Sequence, residues 1–133
     1  MKKIGDYMLK LNRFNILFVF FLVWVNAISQ VSFKATVSKS ELGINERLRV
    51  VFEMNENGDN FIPPEFTGFN IVGGPNQAIS NSWINGKRTF SKKYTYFLSP
   101  KLKGKLTIGQ ASIEINGQLY KTSPIQLNIT GVV

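Results

Sequence analysis

Residues 85–98 read NGKRTFSKKYTYFL, and this stretch decides the fold class. Asn-Gly is the strongest short signal for a β-hairpin, because both central positions of a type I′ turn need a positive φ that Asn and Gly tolerate best. From Arg88 onward the aromatic and apolar residues recur at every second position, which is the period of a strand and not of a helix. The alternation predicts a strand whose even-numbered face is buried: Phe90, Tyr94, Tyr96 and Leu98.

The same period of two recurs upstream of this hairpin. Residues 31–37 and 47–54 alternate apolar and polar side chains, which predicts two half-buried strands. Residues 42–45 are expected to turn between these strands, which pair either across two sheets or along one edge. Residues 55–60 are rich in Asn, Gly and Asp and predict a loop. A short strand around Phe69 is expected to end at Gly73-Gly74-Pro75, and a weaker strand covers residues 77–84.

Downstream, a second Asn-Gly pair at residues 116 and 117 predicts a final hairpin. A last strand then carries Ile125, Leu127 and Ile129. No helix is required after residue 29, and the pattern predicts seven to nine short strands in about 100 residues. We therefore predict an all-β fold, an immunoglobulin-like antiparallel β-sandwich preceded by a signal peptide.

The N-terminal segment is typical of an export signal. Basic residues precede an unbroken apolar run from Ile16 to Val25, and the small residues Ala27 and Ser29 follow where a signal peptidase needs them. We predict a signal peptide at residues 1–29 and one sandwich domain at residues 30–133. The alternative is an uncleaved membrane anchor, although a spanning helix needs about 20 apolar residues and this run is shorter.

Composition excludes several kinds of chemistry. The 133 residues contain no cysteine and no histidine, so thiol nucleophiles, imidazole bases and the commonest zinc ligands are all missing. Residues 30–133 hold 12 basic and seven acidic residues, a net charge of +5. A surplus of this size favours solubility, and it does not indicate nucleic-acid binding.

A distributed set of motifs covers most of residues 30–133. It comprises Gly74-Pro75 before a Ser-rich strand, Asn85-Gly86, the run from Tyr94 to Pro100, then Gly104, Ile108, Ala111, Ile113, Gly117, Tyr120 and the segment 122–125. In order and spacing this set resembles the N-terminal domain of the BatD family, the Bacteroides aerotolerance family.

The resemblance implies an extracytoplasmic protein of several sandwich-like domains with a membrane segment near its C-terminus. It also implies partner proteins linked to oxygen or stress tolerance, and it carries no catalytic residues to transfer. Because this chain ends at Val133 without a second apolar run, we expect an N-terminal fragment, a truncated product or a single-domain homologue.

Three residues near the first Asn-Gly turn are candidates for contact with a partner: Trp83, Lys87 and Arg88. For Trp83, burial in a sheet face is the expected outcome and partner contact the alternative. Lys87 and Arg88 form a basic cluster with Lys92 and Lys93 that is expected to be a solvated surface. Lys92 and Lys93 should point to opposite faces, because side chains alternate along a strand.

The acidic residues offer weaker candidates. Glu53, Glu56, Asp59 and Glu65 lie close in sequence but lack the spacing of a calcium loop. A pair of carboxylates for glycoside hydrolysis would have to come from the same small set. We therefore predict no catalytic residues, no metal and no cofactor.

These observations lead to one main functional hypothesis and one alternative. The main hypothesis is a non-catalytic extracytoplasmic protein-interaction domain, exported to the periplasm or cell envelope, whose partners are other envelope proteins. It predicts no nucleic-acid binding, and membrane contact only through the signal segment unless that segment stays uncleaved. The alternative is a carbohydrate-binding or adhesin-type module in which Trp83, Tyr94 or Tyr120 stacks on sugar rings; a carboxylate-dependent hydrolase is the least favoured class.

Overall fold

Ten β-strands run through residues 30–133, the part of the chain that the computed structural model describes. The predicted signal peptide at residues 1–29 lies outside the described residues. Residues 30–133 contain no helix. The strands are β1 (Phe33–Val37), β2 (Glu41–Gly43), β3 (Leu48–Met54), β4 (Asp59–Ile62), β5 (Phe69–Ile84), β6 (Lys87–Pro100), β7 (Gly104–Ile108), β8 (Ser112–Ile115), β9 (Gln118–Lys121) and β10 (Ile125–Thr130).

The strands form three sheets. A four-stranded antiparallel sheet has the order β1-β3-β6-β5, and two three-stranded sheets have the orders β2-β10-β7 and β4-β8-β9. All pairings are antiparallel except that of β2 with β10. The direct pairing of β1 with β3 settles the open question about the first two strands, which lie side by side at one edge of the largest sheet.

The inner face of the four-stranded sheet packs against both smaller sheets. Phe52, on β3, is fully buried and lies 5.9 Å from the ring of Tyr96 on β6. The main apolar cluster joins these residues to Ile108 of β7 and Leu127 of β10. A smaller cluster joins β3 to β8. Two layers therefore enclose the core, and the predicted all-β sandwich is confirmed.

The predicted alternation is confirmed in the central strands. Leu48, Val50, Phe52 and Met54 are buried while Arg49 and Glu53 are exposed. On β6 the even-numbered positions 94 to 98 face the core. Both Asn-Gly hairpins form, with Ile84 paired to Lys87 and Ile115 paired to Gln118.

Two boundaries were predicted wrongly because of long-range pairing. Leu42 and Gly43 belong to β2, beside β10, and not to a turn; Leu42 is 1 % exposed, so its burial in the core outweighs the local turn preference. The predicted loop at residues 55–60 is shorter than expected, because β4 already begins at Asp59. These two additions bring the count to ten strands in the described residues, above the predicted range.

The third difference is the length of β5. Gly73-Gly74-Pro75 does not end a strand, and β5 continues through it to Ile84 with register shifts on both sides of Gly73. Proline is tolerated there because β5 is the outermost strand and needs no ladder bond on its free side. Gly74 has a φ of 87°, and a Cβ at that position would lie 2.3 Å from the carbonyl oxygen of Thr95. The glycine permits β5 to bulge and still follow β6.

Candidate functional site

The hairpin of β5 and β6 carries all three candidate contact residues. Its ladder begins where Phe69 pairs with Pro100 and ends where Ile84 pairs with Lys87. The turn residues Asn85 and Gly86 have φ values of 52° and 76°. Two successive positive values are the signature of a type I′ turn, whose twist matches that of the flanking strands.

The outer part of this hairpin extends beyond the sandwich. Strand β3 accompanies β6 only as far as the pairing of Met54 with Lys92. The residues beyond that pair, 80–91, are called the arm here. They form a ladder of two strands alone, in which every residue is exposed or half-buried. At a rise of about 3.3 Å per residue the arm is roughly 16 Å long.

Trp83 lies near the end of the arm and is 69 % exposed. The prediction that it would be buried is therefore wrong. Alternation along a strand indicates which residues share a face, but it does not indicate whether another layer covers that face. Among residues 30–133 the only strand beside Trp83 is β6, so no described core lies against the indole.

Arg88 shares a face with Trp83, because the two residues are direct partners in the ladder. Its Nε atom donates a hydrogen bond to Oδ1 of Asn81 at 3.2 Å, and its guanidinium lies 5.4 Å from the ring centre of Phe90. Lys87 pairs with Ile84, so it lies on the other face. The structure therefore brings Trp83 and Arg88 together and separates Lys87 from them.

Lys92 and Lys93 point to opposite faces, as predicted. Lys92 is 9 % exposed. Its ammonium donates hydrogen bonds to Oδ1 of Asn57 at 3.3 Å and to the carbonyl oxygen of Gly58 at 3.4 Å. Lys93 is exposed and forms an ion pair of 3.4 Å with Glu53. The expected solvated basic cluster thus loses Lys92, which closes the base of the arm.

The two tyrosines proposed for sugar stacking are engaged elsewhere. Tyr94 stacks on Phe61 with 4.1 Å between ring centroids and 1° between ring planes. Tyr120 is half-buried against the smaller apolar cluster, and its hydroxyl donates a hydrogen bond to Oε1 of Gln118 at 3.1 Å. Of the three aromatic candidates, Trp83 alone presents an open ring face.

Of the acidic residues, Asp59 on β4 and Glu114 on β8 are direct partners in the ladder and share one face of the sheet. Glu53 pairs with Lys93, and Glu114 accepts a hydrogen bond from Asn60 at 3.1 Å. Within residues 30–133 no three acidic side chains come close enough to hold a metal ion. Glu65 lines a groove of about 450 Å³ beside Pro63 and Pro64, as its only ionisable residue. A single carboxylate does not supply the pair that glycoside hydrolysis uses.

The outer edge of β5 was not predicted from the amino-acid pattern. In the described part of the chain β5 pairs with β6 alone, so one side of this strand has no strand beside it. Residues 76–84, called the distal edge here, read NQAISNSWI and contain no charged residue, proline or glycine. Ile79 in this segment is 58 % exposed. Such an apolar residue within a polar strand was the available signal.

Among the described residues no helix has the length and apolar character needed to cross a membrane.

Comparison with known proteins adds one finding. Residues 35–129 match a family model described as the BatD DUF11 like domain, and this match covers more than half of the chain. No curated protein and no solved structure matches the chain.

Proposed function

Because this chain belongs to the BatD family, whose domains are typically associated with the cell envelope, we propose that it is a non-catalytic protein-interaction domain outside the cytoplasm. It is exported to the periplasm or cell envelope and binds other envelope proteins. The link to oxygen or stress tolerance comes from the family and is part of the proposal. Its chemistry is recognition, which suits a chain without histidine or cysteine.

The observation that carries the proposal is the distal edge of β5. A strand at the edge of a sheet presents a row of backbone N–H and C=O groups that can pair with another chain. Residues 76–84 keep a regular register with β6 up to Ile84, so their free side is extended and uninterrupted. Addition of a partner strand to such an edge is a common mode of recognition, in which backbone hydrogen bonds supply affinity and alternate side chains supply specificity.

The other sheet edges of the described residues are protected in ways that β5 is not. Strand β1 has five residues with Lys34 among them, and β9 has four and ends at Lys121. Strand β7 contains Lys105, and the remaining edge strands β2 and β4 have only three and four residues. Short edges and lysines are the usual means by which proteins prevent unwanted strand pairing. The long uncharged edge is therefore the exception, and this supports a binding role for it.

Site-specific photo-crosslinking in cells tests this proposal on the full chain. A photoreactive residue replaces Ile79, and in a matched control it replaces Leu119; the two side chains are 58 % and 59 % exposed, and both lie on edge strands. We expect a discrete protein adduct from position 79 and none from position 119. Adducts of equal yield from both positions, or none from position 79, would overturn the proposal.

The alternative function, a carbohydrate-binding module, retains one supporting observation. Trp83 presents an exposed ring with the polar side chains of Asn81 and Arg88 on the same face, and such a combination suits a sugar ring. A glycan array probed with the unmodified chain and with Trp83→Ala decides the matter. Glycan binding that disappears in the variant would favour the sugar hypothesis over the protein one.

A further inference from the structure

The last two pairs of the arm ladder have an unusual composition. Trp83 pairs with Arg88 on one face, and Ile84 pairs with Lys87 on the other. Each pair thus consists of one large apolar side chain and one cation. Both apolar residues are open to solvent, Trp83 at 69 % and Ile84 at 64 %. The tip of the arm, defined as residues 83–88, is apolar and cationic on both faces.

This two-sided arrangement favours a fluid surface over a folded partner. A protein docked on one face of a two-stranded ladder leaves the other face in water, and one of the two exposed apolar residues stays uncovered. A bilayer interface surrounds an inserted tip and covers both faces at once. Tryptophan is enriched at that level of a membrane because its ring is apolar and its N–H is polar.

The charge distribution favours an anionic lipid. Residues 66–113 contain no aspartate or glutamate, whereas they contain seven of the 12 basic residues in the segment 30–133. Within the arm the only charged residues are Lys87 and Arg88, beside the turn. Cations near an anionic leaflet are attracted to it, and the attraction falls off within a Debye length. The arm therefore carries two positive charges at its tip and no negative charge.

We propose that the tip binds the surface of an anionic phospholipid bilayer. Trp83 and Ile84 enter the boundary between headgroups and acyl chains, while Lys87 and Arg88 bind lipid phosphates. This goes beyond the proposed protein-interaction function, which concerns the distal edge of β5. It also departs from the expectation that the chain meets a membrane only through its signal segment.

Vesicle binding tests the proposal. We use residues 30–133, because they contain the ten described strands and both described apolar clusters, and because the apolar run at residues 16–25 would itself enter lipid. Trp83 is the only tryptophan of this segment, so its emission reports on the tip directly. We expect a blue shift on vesicles of equal parts phosphatidylglycerol and phosphatidylcholine. Vesicles of phosphatidylcholine alone, or inorganic phosphate, should give none.

Charge variants distinguish binding through the tip from general electrostatic attraction of the whole protein to the vesicle. We expect Lys87→Gln with Arg88→Gln to weaken vesicle binding roughly 30-fold, given the usual contribution of a basic residue near an anionic surface. The matched control, Lys101→Gln with Lys103→Gln, removes the same charge from exposed residues outside the arm. In a sedimentation assay Trp83→Ala should weaken binding at least about tenfold, and Leu119→Ala should not.

Three results would overturn the proposal: no blue shift on the anionic vesicles, equal losses from the two charge pairs, or the same shift with free phosphate. Circular dichroism of each variant verifies that the sandwich is folded. A negative result in the vesicle experiment leaves the crosslinking result at position 79 unaffected. Loss of that crosslink leaves the vesicle result unaffected, so the two proposals can be rejected separately.

Discussion

The ammonium of Lys92 lies 3.3 Å from Oδ1 of Asn57, and this contact marks the point where the β5–β6 hairpin leaves the sandwich. The same ammonium bonds the carbonyl oxygen of Gly58 and lies 5.5 Å from the ring centre of Tyr94. Before this point β6 has a strand on each side, and beyond it only β5 remains. One buried cation thus closes the core at the base of a solvated arm.

Replacing Lys92 should destabilise the fold far more than replacing its neighbour. Lys92→Met keeps most of the side-chain volume but leaves Asn57 and the buried Gly58 carbonyl without their donor, which costs about 1–3 kcal/mol. Lys93 is exposed and its ion pair with Glu53 is a surface pair, so Lys93→Met should change the free energy of unfolding by less than about 0.5 kcal/mol. Urea unfolding of residues 30–133 measures both, and equal losses would contradict the assignment.

Gly74 should be the least replaceable glycine of the β5–β6 hairpin. An alanine Cβ there meets the Thr95 carbonyl, and φ is positive. Gly104 also has a positive φ, of 106°, but open space around it. We expect Gly104→Ala to cost about 1 kcal/mol from backbone conformation alone. Gly74→Ala should cost about 1–3 kcal/mol more, because strand β6 has to give way. Similar unfolding midpoints for the two variants would refute this explanation.

Glu46 should make stability depend on acid pH. The ammonium of Lys39 hydrogen-bonds its carboxylate and the backbone N–H of Gly43 donates to Oε1 at 2.9 Å, and these contacts lower the pKa of Glu46 below its ordinary value. A carboxyl group whose pKa is lower in the folded state stabilises that state above its unfolded pKa. This stabilisation is lost as the pH falls through the folded pKa.

The Glu46→Gln variant tests that dependence. Thermal unfolding should show a lower melting temperature than wild type at neutral pH, and the difference should shrink as the solution is acidified below the folded pKa. Glu41→Gln is the control, because Glu41 forms no ion pair within residues 30–133. A difference between Glu46→Gln and wild type that stays constant with pH would argue against the carboxylate as its source.

The fluorescence of Trp83 should be that of a solvent-exposed indole, and its side chain should contribute little to the free energy of unfolding. In residues 30–133 its emission should resemble that of an indole in water, and acrylamide should quench it efficiently. Because its side chain contacts no core cluster, Trp83→Ala should shift the free energy of unfolding by less than about 0.5 kcal/mol. Phe52→Ala, at a fully buried position, is the contrasting variant and should cost about 3–5 kcal/mol. A blue-shifted emission maximum in the absence of vesicles would contradict the exposure of Trp83.

Much of the fold was predictable from three short stretches of sequence, residues 31–54, 85–98 and 116–117. The buried and exposed faces of β3 and β6 follow from alternation, and both hairpin turns follow from Asn-Gly pairs. The boundaries at Leu42 and Asp59 were missed, because each joins a strand that pairs with residues far away in the chain. Of the candidate site, Trp83, Lys87 and Arg88 were named correctly as neighbours of a turn. Their exposure and their division between two faces required the ladder register.

Residue identity and local backbone geometry were enough to predict where apolar and polar side chains alternate and where the chain reverses. They were also enough to show that the sequence has no thiol or imidazole group. Three features depended on the packing of the described residues: β3 ends at Met54, opposite Lys92, while β5 continues; the long edge of β5 has no described strand beside it; and Trp83 is exposed to solvent where a core was expected. In a pleated strand, successive side chains point to opposite faces, so the face that each residue occupies follows from its position in the chain. Whether anything covers that face depends on strands brought together across long stretches of chain, and no local pattern encodes that.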